Sequence, residues 1–234
     1  MSSAIPPALE RQAFDEAAFG RPFYRITSIK SDSLEHELAA LRQQGQPFIV
    51  DAKTPSDDLD SSRRLLSLGF RKVCMQIKLV NDLTGPADLD RQAAVADRLD
   101  WPEQLIAAHA RNFAFDRFAL DIDLPAEGHD RLYSGWIRNS LTSGRKRIIS
   151  IDCNFLSFVE DGESLRIDLL SVLDHRQGIG RRLLDSLTLL AKSSGRASVI
   201  TVTECENHAA VQLYCRTGYR LRDFQTVFHL TEPH

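Results

Sequence analysis

Asp174-His175-Arg176-Gln177-Gly178-Ile179-Gly180-Arg181-Arg182-Leu183-Leu184 is the stretch on which the reading of this chain turns. It follows an apolar run at 165–172 with strand character. It opens a helix whose apolar positions, Ile179, Leu183, Leu184, Leu187 and Leu190, recur at helical spacing. The first turn of a helix leaves backbone N–H groups without intrahelical acceptors, and the positive end of the helix dipole lies there. Such a terminus suits a phosphate. Gly178 and Gly180 would let a ligand approach without meeting a Cβ, and Arg176, Arg181 and Arg182 add positive charge. Two other glycine loops are excluded by spacing. A dinucleotide fingerprint needs a third glycine where Leu183 stands, and a Walker loop needs Gly-Lys-Ser/Thr. The competing reading is a helix entry whose glycines only permit tight packing.

Downstream, Ser193-Ser194-Gly195 should end the helix, with a strand at 197–203, a helix at 207–217 and a strand at 226–230. Upstream, strands are expected at 148–151, 155–159 and 165–172, with turns at Asp152-Cys153-Asn154 and Glu160-Asp161-Gly162-Glu163. The first part of the chain alternates strand-like and helix-like runs. Strands are expected at 23–27, 47–51 and 73–80, a helix at 34–41, and a short helix capped by Asp60 or Ser61 and ended by Gly69. Residues 1–12 are Ser/Pro-rich and should lie loose on the surface. The division this suggests is a small α/β domain over 1–85, a polar linker over 86–100 that follows the Gly85-Pro86 breaker, and a second domain over 101–234. Helices from Pro102 to about 113 and over 130–141 flank an irregular stretch at 115–121. Leu66-Ser67-Leu68-Gly69-Phe70 and Tyr214-Cys215-Arg216-Thr217-Gly218-Tyr219 are faintly alike, too little to argue a repeat.

Bulk properties bound the function. The 234 residues carry a net charge of −3, with 43% apolar and 26% charged residues, as in a globular domain with a packed core. That charge argues against a protein held on nucleic acid by bulk charge. The four cysteines show no Cys-x-x-Cys spacing, so no metal is expected. No apolar run approaches a membrane span, and no secretory leader is evident, so a cytoplasmic location is expected.

The motif His175-Arg176-Gln177-Gly178-Ile179-Gly180 resembles the Gln/Arg-x-x-Gly-x-Gly/Ala loop of the GNAT N-acetyltransferases, with His175 departing from the usual Gln or Arg. Asn207-His208-Ala209-Ala210-Val211-Gln212-Leu213-Tyr214-Cys215-Arg216-Thr217-Gly218-Tyr219 resembles the family's second signature, Asn-x-x-Ala-x-x-x-Tyr-x-x-x-Gly-Phe/Tyr. The resemblance implies an α/β GNAT fold: a central mixed, partly antiparallel sheet with flanking helices, preceded by a smaller α/β domain. It implies acetyl-CoA as co-substrate, no metal, and N-acetylation of a small primary amine. Cofactor contacts are then expected from Leu170, Ser171, Val172, Arg176, Gln177, Gly178, Ile179, Gly180, Arg181, Asn207 and Ala210. Backbone at 170–172 should supply an oxyanion donor, and Tyr214 the general acid for the departing thiolate. Candidates for the base are Asp116, Asp121, Asp168, Glu204 and Glu206, or a water chain.

The two-part layout resembles the branch acting on nucleotide-linked amino sugars, typified by dTDP-fucosamine acetyltransferase. Phe115-x-Arg117-Phe118 and Tyr133-x-x-Trp136-Ile137-x-Asn139-Ser140 look like its acceptor flank, with Arg117 and Phe118 as candidate substrate contacts. An arginine beside an aromatic suits phosphates and a ring, but Arg117 tied to Asp116 or Asp121 over a core Phe118 is an equal reading. His109, His129 and His208 stand isolated and receive no role. The expected partner is a small-molecule amine, with a sugar nucleotide the first choice, and neither nucleic acid nor membrane. A homodimer is left open. Other amines (a peptide N-terminus, a polyamine, an antibiotic) and a non-catalytic acyl-CoA-binding module are the competing functions.

Overall fold

The computed structural model describes residues 7–84 and 94–232. The expectations for residues 1–6, for Gly85-Pro86 and for the part of the linker up to 93 lie outside them. Two compact units emerge, and they are not consecutive in sequence. One gathers the chain up to Gln76, Arg117–Leu132 and the segment from Phe224; the other holds Ile77–Asp116 and Tyr133–Asp223. The chain therefore returns to its first unit twice, where the sequence suggested one break near residue 85.

In the first unit, β1 (Leu9–Arg11) lies antiparallel to β2 (Phe23–Ile26), and β2 runs parallel to β3 (Ile49–Pro55). β3 pairs antiparallel with β10 (Arg220–Thr231), from Gln225 opposite Pro55 to Thr231 opposite Ile49. Helices α1 (Ala13–Phe19), α2 (Leu34–Gln43) and α3 (Leu59–Ser67) complete the unit. Leu34, Leu38 and Leu41 fall on one stripe of α2 and pack with Val50, Ala52, Leu65 and Phe228. Residues 9–11 are a strand, where the sequence reading left 1–12 loose, and 13–19 are a helix to which the sequence reading assigned no element. Both elements are too short to show a period, and their order comes from pairing: Leu9 meets Ile26, and the Ala8 and Leu9 N–H groups donate to the Glu37 carboxylate. α3 is capped by Asp58 rather than Asp60 or Ser61, because the Asp58 carboxylate accepts from the Ser61 N–H at 3.0 Å.

In the second unit, β5 (Val95–Ala96), β6 (Arg147–Ile151), β7 (Asn154–Asp161) and β8 (Ser164–Ser171) form an antiparallel run. β8 then pairs in parallel with β9 (Ser198–Glu204). The helices are α4 (Glu103–Arg111), the later part of α5 (Ala126–Thr142), α6 (Ile179–Ser193) and α7 (His208–Arg216). The apolar stripe of α6, Ile179, Leu183, Leu184, Leu187 and Ala191, packs on Ile149, Leu156, Phe158, Leu165, Ile167 and Val199 from the sheet. β4 (Arg71–Asn81) and β10 each pass from one unit into the other. Among the described residues, no helix is long and apolar enough to cross a membrane.

Candidate functional site

β8 departs from regularity in two ways. First, its register with β7 slips: Ile167 faces Phe158 but Leu169 faces Ser157, so Asp168 is the extra residue of a β-bulge. A bulge reverses the alternation of side chains beyond it. Ile167 packs in the core under α6, and beyond the bulge it is Leu170 and Val172 that pack there. Ser171 is thereby turned to the other face. Second, the parallel register with β9 runs only from Ser164–Ser198 to Arg166–Ile200, although β8 continues to Ser171 and β9 to Glu204. Along the last five residues of β8 the backbone facing β9 is unpaired, next to the loop that enters α6.

That loop ends in a left-handed glycine. Gly178, with φ 74°, is the N-cap of α6, and a Cβ there would meet nothing within 4 Å. Arg176 is also left-handed, at φ 64°. His175, Arg176, Gln177 and Gly178 are exposed. The first helical bond of α6 runs from the Arg182 N–H to the Gly178 carbonyl at 3.1 Å, so the N–H groups of Ile179, Gly180 and Arg181 have no helical acceptor. No acidic side chain lies in this first turn, and Arg181 reaches Asp185 at 3.5 Å while staying two-thirds exposed. A Cβ on Gly180 would stand 2.9 Å from the end of the Leu213 side chain on α7, which would have to shift to admit it. The open glycine is Gly178.

α7 begins at a cap of its own. The Asn207 side chain accepts from the Ala210 N–H at 3.2 Å. Tyr214, seven residues on, is buried in the core cluster beside Tyr219. Burial pushes its phenol above its ordinary pKa, and a hydrogen bond with Thr201 on β9 opposes this in part. Tyr214 thus holds its proton at neutral pH. Burial also holds the Tyr219 phenol well above its ordinary range.

On the face of β8 turned away from α6, Asp168 accepts from Lys146 Nζ at 2.5 Å, Ser140 at 3.2 Å and Ser157 at 3.4 Å. Further along, Ser171 meets two residues to which the sequence gave no role. His109 Nδ1 lies 2.8 Å from the Ser171 hydroxyl and its Nε2 2.7 Å from the Cys153 carbonyl. Asn112 Nδ2 donates to the Ser171 hydroxyl at 3.0 Å and to the Val172 carbonyl at 3.1 Å. His109 is fully buried, stacked 5.1 Å from Trp101. The sequence carried one signal for it: His109 lies three residues after Ile106 and one before Ala110, on the buried face of α4.

Of the remaining base candidates, Glu204 is buried, Glu206 is exposed, and Asp116 and Asp121 are buried. Arg117 and Phe118 belong to the first unit, and both are buried. Arg117 Nε is 3.7 Å from Asp51 and its guanidinium lies 4.1 Å over the Phe118 ring, which in turn stacks on His229. His229 Nδ1 is 2.7 Å from Asp121 and its Nε2 3.6 Å from Asp51; Arg71 reaches Asp121 at 2.6 Å. Burial alone would raise both carboxyls. Arg117 and His229 instead hold Asp51 well below the carboxylate range, and the hydrogen bonds from His229 and Arg71 hold Asp121 at about 2. The His229 imidazole, lowered by burial and raised more by its two carboxylates, stays protonated to higher pH than a free histidine.

The fold of this chain recurs in solved structures. A GCN5-related N-acetyltransferase from Sphaerobacter thermophilus superposes with a TM-score of 0.60 at 12% identity, over 95% of this chain and 75% of that one. The chain has the GNAT fold. A tandem GNAT protein from the clavulanic acid biosynthesis pathway matches at 0.56 and 12% identity, over 92% of this chain and 77% of its own. The glucosamine N-acetyltransferase region of a fungal multi-domain GH3 β-N-acetylglucosaminidase matches at 0.56 and 15%, over 90% of this chain and 30% of its own. No family model matches the sequence, and no curated protein does. Identities this low describe the fold alone, so within the GNAT fold the chemistry must be argued from this chain's residues.

Proposed function

We propose that the second unit is an acetyl-CoA-dependent N-acetyltransferase. The observation that carries this is Gly178, left-handed and open, at the N-terminus of α6 directly beyond the unpaired end of β8. Free N–H groups, the helix dipole and Arg176 and Arg181 suit the coenzyme's pyrophosphate. Gln177, Ile179 and Gly180 complete this turn. The unpaired edge of β8 at Leu170, Ser171 and Val172 suits the amides and thioester of the pantetheine arm. One backbone N–H there would donate to the thioester oxygen, and more strongly as that oxygen becomes an oxyanion. Asn207 and Ala210 form the first turn of α7 beside that arm.

The acceptor amine attacks in its neutral form, and the C–S bond breaks as the new amide C–N bond holds. Tyr214 keeps its proton at neutral pH, so it can donate to the departing sulfur as general acid. For the acceptor we favour the amino group of a nucleotide-linked amino sugar. Its support is the two-part sequence layout and the presence of a glucosamine N-acetyltransferase region among proteins of this fold. Asp168 faces the side of the sheet opposite α6 and is our choice of base; Lys146 must then shift to free it for the ammonium.

Calorimetric titration with CoA and acetyl-CoA, followed by thiol-release assays on amino-sugar nucleotides, polyamines, peptides and aminoglycosides, tests this. Micromolar coenzyme binding with turnover on one amine class is the expected result. No coenzyme binding would sink it, and binding without turnover on any amine would leave an acyl-CoA-binding module.

A further inference from the structure

We propose that His109 and Asn112 are positioning residues that hold the unpaired end of β8 in register for the thioester. The proposal rests on the reading of the β8 edge given above. The hydrogen-bond directions are fixed by elimination. The Cys153 carbonyl can only accept, so His109 Nε2 carries a hydrogen. Burial lowers the His109 pKa, which favours the neutral ring, so Nδ1 is an acceptor and the Ser171 hydroxyl donates to it. The two hydrogens of the Asn112 amide are then spent on the Ser171 hydroxyl and the Val172 carbonyl. The Ser171 hydroxyl thus donates once and accepts once, and each interaction has one possible sense.

What needs holding is clear from the sheet. Beyond Arg166 the strand has no β9 partner, and its other edge meets β7 across a bulge. A strand supported on one edge, next to a bulge, is the kind of backbone that drifts. The end of α4 supplies a second support at Ser171 and Val172, and the Cys153 carbonyl ties the same histidine to the turn between β6 and β7. Trp101 and Phe155 close around the ring at 5.1 and 5.2 Å, which fixes its orientation. An oxyanion donor is useful only when its N–H is aimed before the reaction. The chain reaches this by clamping the residues on which that N–H sits.

The test uses the full chain and carbonyl-labelled acetyl-CoA followed by carbon-13 NMR, with CoA affinity measured in parallel. Binding to the wild type should move the carbonyl resonance, as hydrogen bonding to the thioester oxygen requires. Ser171→Ala and the half-buried Asn112→Ala should lose most of that displacement while keeping CoA affinity within about threefold, no more than one weak hydrogen bond. Ser171→Thr, which keeps the hydroxyl, should restore it. An unchanged carbonyl shift in both alanine variants overturns the proposal, as does an equal loss of CoA binding, which would mark a general structural role. If the wild type binds neither coenzyme form, it is the acetyltransferase reading that has failed.

Discussion

The strand–helix–strand segment that begins in the first unit, β3–α3–β4, and the one that begins in the second, β9–α7–β10, have the same local construction. Position 49 answers to 198, 58 to 207, 65 to 214 and 69 to 218, at one constant step, and the paired helices have the same length. Asp58 and Asn207 cap their helices by accepting from the N–H three residues on. Gly69 and Gly218 end them with φ of 93° and 90°. The N–H groups of Phe70 and Tyr219 donate to the carbonyls of Leu65 and Tyr214, both at 3.0 Å. The difference lies in what the frame carries. The first helix presents a fully buried leucine at 65 where the second presents Tyr214. The connection entering α2 has no glycine and is capped by Ser33 in a right-handed conformation, whereas α6 opens on left-handed Gly178. In strand position, Asp51 answers to Ile200, and on the closing strands His229 answers to Val80. The same backbone thus supports a charged core in one unit and a coenzyme site, as we propose, in the other. The fold sets where a helix begins and ends; a few side chains set what its surroundings can do.

Removing what distinguishes the second segment should have the largest effect. Tyr214→Phe deletes one hydroxyl and keeps the ring. We expect kcat to fall by about 10²–10³ while CoA affinity holds, measured by thiol release and calorimetry, with a loss of about 1 kcal/mol of stability from the missing bond to Thr201. An unchanged kcat would take Tyr214 out of the chemistry and leave it equivalent to Leu65, a core residue.

The next effect tests what distinguishes the first unit. Asp51→Asn leaves Arg117 and His229 beside a neutral amide in a dry core, and should cost about 3–5 kcal/mol in urea unfolding. The same cluster sets a pH profile. His229 has a raised folded pKa, so its contribution is complete below the unfolded value of about 6.5 and is lost as pH rises through the folded one. Asp121 is lowered to about 2, so its contribution is complete above its unfolded value of about 3.9 and is lost as pH falls toward 2. Stability should therefore peak between them in mildly acidic solution, and His229→Gln should remove the decline on the alkaline side.

These two sites differ in how far the sequence could reveal them. The α6 entry is local: glycine, arginines and an apolar stripe lie within a dozen residues, and one turn of backbone explains all of them. Tyr214 and its cap are equally local. The Asp51–His229–Asp121 cluster joins residues from three distant stretches of chain, which no spacing rule connects. His109 is similar: its partners Cys153 and Ser171 are 44 and 62 positions away. The bulge at Asp168 is hidden for another reason. The run Arg166-Ile167-Asp168-Leu169-Leu170-Ser171 is compatible with an unbroken strand, and only the register against β7 shows the extra residue.

Breaking the shared frame should cost less and cost both segments alike. Gly69→Ala and Gly218→Ala each place a Cβ at φ near 90°, and the nearest atoms, Arg42 and Asn81 side chains at 3.5 and 3.6 Å, leave room for a methyl group. The loss then comes from backbone strain, about 1–2 kcal/mol in each case by thermal unfolding. A large loss at one glycine and none at the other would show that the two helix ends are alike in outline only.

The smallest effect separates the caps themselves. Asp58 and Asn207 accept the same kind of bond, but only Asp58 titrates. The Ser61 N–H and then its hydroxyl stabilise the Asp58 carboxylate and lower its pKa. A lowered pKa stabilises the fold above the unfolded value of about 3.9, and that contribution fades as pH falls through the folded one. Asn207→Ala should cost about 1 kcal/mol at any pH from 3 to 7, because an amide cap carries no charge to lose. Asp58→Ala should destabilise at pH 7 and progressively less as pH falls through the lowered folded pKa, because a protonated carboxyl is a poorer acceptor. Asp58→Asn, which copies the second segment into the first, should sit close to the wild type at pH 7 and above it once the pH has fallen through the folded pKa of Asp58. Parallel acid profiles for Asp58→Asn and the wild type would mean that charge contributes nothing to the first cap, and that the two segments differ only in Leu65 and Tyr214, the loops before them and the buried charges.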